Sequence, residues 1–136
     1  MQVMPYLNFN GDCADAFRFY EKALGGEIQA LMTWGESPMA ETCSPISRDR
    51  IMHACLKLGN AQIMGGDCPP DRFQKMQGVT VSLGVAEPDE ADRVFAALAE
   101  GGVVQMPIGE TFWAQRFGMV TDRFGTPWMV NCSKPM

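Results

Sequence analysis

The sequence predicts an α+β fold built from two tandem βαβββ modules, on three observations. Two helical segments share one design, residue pairs recur at a fixed offset, and each helix is followed by three strand-like pieces. "GDCADAFRFYEKALGG" reads as the first helix: Gly11 and Asp12 sit where a cap belongs, and Gly25-Gly26 ends it. Ala16, Phe19, Tyr20, Ala23 and Leu24 supply its apolar stripe. "EPDEADRVFAALAEGG" repeats the plan. Pro88 stands in the first turn, acidic residues crowd the N-terminal end, and Ala91, Val94, Phe95 and Leu98 form the stripe. Ala14-Asp15 recurs as Ala91-Asp92, 77 residues on, and Gly25-Gly26 recurs as Gly101-Gly102, 76 residues on.

The strands follow in order. "PYLNF" and "VTVSLGV" precede the helices. "EIQALMTW", "RIMHACLKL" and "AQIMGG" follow the first, and "VVQM", "AQRFGMVT" and "TPWMVNC" follow the second. A single domain over 1–136 is expected, with module one at about 1–68, a linker at about 69–78 and module two at about 79–136. Asp67 and Asp71 flank Pro69-Pro70, where turn chemistry and solubility account for both. "GESPMAETCSPISRD" (35–49) is a long loop, a candidate lid.

Alternation assigns the faces of these strands. Leu7 and Phe9; Met52, Ala54, Leu56 and Leu58; Ile63; Val79, Val81, Leu83 and Val85; and Trp128 and Val130 face the core. Opposite them lie Tyr6 and Asn8; His53, Cys55 and Lys57; Gln62 and Met64; Thr80, Ser82 and Gly84; and Met129 and Asn131. These second faces are mixed polar, small and Met-rich, the character of a ligand groove rather than of bare surface.

Composition narrows the function. A net charge of −5 argues against nucleic acid or an anionic membrane as partner. The N-terminus has no basic segment with an apolar run behind it, and five scattered cysteines form no CxxC. A reducing cytoplasmic setting with free thiols is expected.

"FRFYEKALGGEI" after a first strand, the doubled βαβββ pattern and "TDRFGTPWMV" near the C-terminus resemble the vicinal oxygen chelate superfamily of glyoxalase I, bleomycin-resistance proteins and extradiol dioxygenases. "PYLNFNGDCADAFRFYEKALGGEI", "IMHACLKLGNAQIMGGD" and "FWAQRFGMVTDRFGTPW" are similar to its PhnB-like branch, often labelled 3-demethylubiquinone-9 3-methyltransferase. The resemblance covers nearly the whole chain. It implies sheets curled around an open cavity, and a homodimer. It also implies where metal-dependent relatives place their ligands: near Pro5 or Tyr6, at Met64, at Ser82 and at Met129. None of these is an imidazole or a carboxylate, so no metal is expected there. The methyltransferase label meets a similar obstacle, because "LGGEI" and "EGGVV" follow helices, where glycine is a helix stop and not a nucleotide loop.

His53 is the only histidine. It admits three readings: a hydrogen-bonded structural residue, a ligand contact, or a general base with Cys55 beside it. "ETFWAQRFGMVTDRFGTPWMV" closes module two. Gly118 relieves crowding, Asp122 caps the "RFGTP" turn, and Gly125 takes a positive φ. Trp113 and Phe112 with Arg116 fit a flat or anionic small molecule, and Trp113 fits a dimer interface equally well. The expected ligand surface is therefore Tyr6, Asn8, His53, Cys55, Gln62, Met64, Ser82, Trp113, Arg116 and Met129, with no cofactor. The expected function is metal-independent binding of a small organic molecule between the modules. The alternative is a lyase, isomerase or transferase working through His53 and its neighbours or a non-standard metal site.

Overall fold

The computed structural model describes residues 1–38, 40, 41, 45 and 48–135. The long loop at 35–49, a candidate lid, lies partly outside the described residues, and Cys43 lies wholly outside them. The chain forms two compact units, Met1–Gln74 and Lys75–Met136. Each is a βαβββ module with one four-stranded mixed sheet.

In the first unit, β1 (Tyr6–Phe9), α1 (Cys13–Leu24), β2 (Glu27–Thr33), β3 (Ile51–Leu58) and β4 (Ala61–Asp67) give the sheet order β1-β4-β3-β2. β1 runs parallel to β4, and the other pairs are antiparallel. The second unit repeats this with β5 (Val81–Gly84), α2 (Pro88–Ala99), β6 (Val103–Gly109), β7 (Ala114–Thr121) and β8 (Pro127–Ser133), in the order β5-β8-β7-β6. A short 3-10 turn at Pro70–Arg72 follows β4.

Each helix covers one face of its sheet. α1 buries Cys13, Ala16, Phe17, Tyr20 and Ala23. Phe17 is buried in place of the expected Phe19, which is half-buried. The sheet makes room for Phe17 at Gly65, where a Cβ would lie 2.8 Å from its ring. α2 buries the four stripe residues expected of it, and a Cβ on Gly118 would lie 2.6 Å from Phe95. Pro88 does occupy the first turn, and Gly25 ends α1 at φ +77. Val79, expected in the core, precedes β5 and is 75% exposed, because the alternation of "VTVSLGV" runs two residues past the paired strand.

Two buried carboxylates organise the ends of the sheets. Asp67 Oδ1 accepts from the backbone N–H of Gly11 (2.8 Å) and Cys13 (3.1 Å), and Oδ2 accepts from that of Ile51 (2.8 Å). It therefore satisfies the start of α1 and joins it to β3 and β4. Asp12 holds the cap position but makes no side-chain cap bond. Asp67, expected as a solvated linker residue, is 5% exposed. Asp122 caps its turn as expected, accepting from Phe124 (2.8 Å) and Thr126 (3.1 Å). Among the described residues, no helix is long and apolar enough to cross a membrane.

Candidate functional site

With each helix on one face of its sheet, the opposite face carries the residues expected to meet a ligand. On the first sheet, register places Tyr6 beside Met64 and Met64 beside Cys55, one row across three strands. Asn8 pairs with Gly66 in the next row of this face, and Gln62 pairs with Lys57 at its far end. Gly66 has no side chain, so the Tyr6 ring lies across β4 and its hydroxyl donates to the Met52 carbonyl at 3.2 Å. A Cβ on Gly66 would lie 2.7 Å from both the Tyr6 hydroxyl and that carbonyl. The Tyr6 ring stacks on His53 with centroids 6.3 Å apart. Burial pushes the Tyr6 phenol above its usual value, with Cys13, Cys68 and Asp67 adding in the same sense, so it stays a donor at neutral pH.

The chemistry open to His53 and Cys55 differs. His53 is half-buried and its ring reaches the face beside Tyr6. Cys55 is only 8% exposed. Among the described residues, no hydrogen bond joins the two, and the thiolate that nucleophilic chemistry needs has no basic partner there.

On the second sheet, Ser82 pairs with Met129, Gly84 with Asn131, Met119 with Met129, and Phe117 with Asn131. Trp113 precedes β7 and is 43% exposed. Its indole N–H donates to Asn131 Oδ1 at 3.2 Å. Its ring meets Phe117 at 5.2 Å and Phe112 at 4.8 Å, both edge to face. Asn131 Nδ2 donates in turn to Ser133 Oγ at 3.0 Å.

Arg116 does not join Trp113. It pairs with Cys132, on the buried side of β8, and its Nε donates to Asp92 of α2 at 3.1 Å. Strand parity explains this: Arg116 shares the parity of buried Val120, and Phe117 and Met119 have the other. Phe117 and Met119 are absent from the expected site, and Asn131, placed on the groove face by alternation, is absent from the expected ligand contacts. Alternation from Val120 and Trp128, both buried, is the signal that finds them.

Of the positions the resemblance implies for metal ligands, near Pro5 or Tyr6, Met64, Ser82 and Met129, Tyr6 pairs with Met64 and Ser82 with Met129. A phenol, a hydroxyl and two thioethers do not make a binding set for a hard or borderline divalent cation. Among the described residues, no three His, Cys, Asp or Glu side chains gather to hold one. The residues present do not fit that metal.

The family model described as 3-demethylubiquinone-9 3-methyltransferase matches residues 1–131. The chain belongs to this family. Protein YjdN of Escherichia coli (strain K12) is 37% identical to it, over 98% of this chain and 97% of that protein. The crystal structure of protein PA1353 from Pseudomonas aeruginosa superposes with a TM-score of 0.91 at 47% identity, over 99% of both chains. The fold is also that of a glyoxylase/bleomycin resistance protein/dioxygenase domain from Frankia sp. EAN1pec, at a TM-score of 0.63 and 13% identity, over 98% of this chain and 95% of that one. The resemblance read from the motifs is thereby confirmed at the level of family and fold. The activity in the family's description needs a methyl donor. The paired glycines of this chain, Gly25-Gly26 and Gly101-Gly102, follow helices and form no strand–turn–helix cradle for one.

Proposed function

We propose that this family member binds a small organic molecule on the helix-free faces of its sheets, without a divalent metal, and works as a homodimer. The observation that carries the reading is the treatment of Tyr6. A large aromatic 46% exposed is not packed in a core; it is stretched over Gly66 and pinned by its hydroxyl beside His53. Such a ring offers a fixed contact surface with little entropy left to lose on binding. The exposed apolar edge strand β6, with Val103, Val104 and Met106, supports the homodimer.

Native mass spectrometry of the freshly purified protein tests this. The expected result is a metal-free dimer carrying an organic mass that Tyr6→Ala or His53→Ala loses. A stoichiometric divalent metal would overturn the metal-free reading and favour the enzymatic alternative. Turnover of the released compound that resists chelators and disappears in His53→Ala would make His53 a catalytic base.

A further inference from the structure

We infer that the helix-free face of the second sheet takes a neutral, planar ring bearing a hydrogen-bond donor and acceptor side by side on one edge, as in a lactam fused to an aromatic ring. This rests on the binding reading above and narrows its ligand class.

The wall of the site is Trp113. Its indole is tied to Asn131 and flanked by Phe117 and Phe112, so a stacking surface stands ready in one orientation. A preorganised ring favours a flat partner over a flexible one. The floor beside it is Met119 and Met129, neighbours in register, whose polarisable thioethers suit an aromatic guest.

The polar handle is the Asn131 amide. Its oxygen has two acceptor positions and its nitrogen two hydrogens. Trp113 uses one of the first, and Ser133 one of the second. One acceptor position and one donor hydrogen of the amide remain, and a lactam, with its N–H beside its C=O, offers the complement of both together. Space exists for it, because Gly84 pairs with Asn131 and a Cβ there would meet nothing within 4 Å.

Charge selects against an anion. Arg116 is turned to the helix side and held by Asp92, and Lys134 is paired with Glu110 at 3.4 Å. Bringing an ionised ligand against Trp113, Phe117 and two methionines would strip its hydration without an ionic partner. The flat-or-anionic choice left open by a Trp113–Arg116 pairing thus resolves to flat and neutral.

The test uses carbostyril, a benzo-fused lactam, with N-methylcarbostyril and the anion quinaldate as comparators of similar shape, each titrated against the full chain by ligand-observed NMR. Carbostyril is expected to bind saturably, and both comparators about tenfold more weakly, the worth of one lost hydrogen bond or one unpaired charge. Asn131→Leu should weaken carbostyril by about tenfold and erase the difference from N-methylcarbostyril. Asn131→Asp keeps the acceptor for the indole but loses the donor, and should weaken carbostyril too. Trp113→Ala should weaken all three probes. Equal affinity for the three probes, or carbostyril affinity unchanged in Asn131→Leu, would overturn the inference. An organic mass in the native spectrum with no carbostyril binding would sink the ligand class alone. Absence of both would sink the binding reading as well.

Discussion

The Trp128 indole N–H donates to Asp122 Oδ2 at 2.8 Å, both residues buried in the second module. The other oxygen of the same carboxylate holds the backbone of the turn at Phe124 and Thr126, so one side chain joins the core to the turn. Asp122→Ala would leave an indole and two amides without their acceptor. A loss of about 3–5 kcal/mol is expected in urea denaturation, with a smaller loss of about 1–3 kcal/mol in Trp128→Phe, which removes only the indole donor. Equal losses in the two variants would show that the turn bonds contribute little.

Asp67 plays the matching part in the first module. Asp67→Ala removes the acceptor for Gly11, Cys13 and Ile51, and a cost of about 2–4 kcal/mol is expected. Hydrogen exchange locates the damage: the Cys13 and Ile51 amides should lose protection first. Unchanged exchange at those two amides would contradict the hub role.

Gly66 is where Tyr6 crosses the sheet. Gly66→Ala places a methyl 2.7 Å from the Tyr6 hydroxyl and from the Met52 carbonyl. The side chain can swing away but the backbone cannot, so a cost of about 1–3 kcal/mol is expected. Part of it should persist in Tyr6→Ala/Gly66→Ala. A double variant that recovers fully would assign the whole clash to the tyrosine.

The Asp12 carboxyl is pushed above its ordinary value, first by burial and further by Asp67 and Asp15, against the pull of the Asp12 and Asn10 backbone amides. A folded-state value above the unfolded one means that the folded chain holds the proton more tightly. The group's contribution therefore favours folding below the ordinary value of 3.8 and is lost as pH rises through the folded value. Asp12→Asn should accordingly melt higher at neutral pH, by about 1–2 °C after solvent screening, and lose the advantage in acid. A gain that grows on acidification would reverse the sign of this argument.

The two modules, their helices and most strand bounds were legible in the sequence, because helical and strand periodicities are local and glycine pairs mark where each helix stops. β7 lies where its alternation puts it, at Ala114–Thr121. Local signals also placed Pro88, Gly125 and the Asp122 turn, whose partners lie within a few residues. The partners of Asp67 are 16 to 56 residues away, and no pattern near "GGDCPP" announces them. Arg116 pairs with Asp92 across 24 residues, so its move away from Trp113 appears only once strand and helix are packed together. Hydrophobic period and turn chemistry are written residue by residue, and the sequence by itself determined the fold and the two faces of each sheet. Which polar group meets which is set by contacts distant along the chain, and for Asp67, Arg116 and the Trp113–Asn131 pair only the tertiary structure decided it.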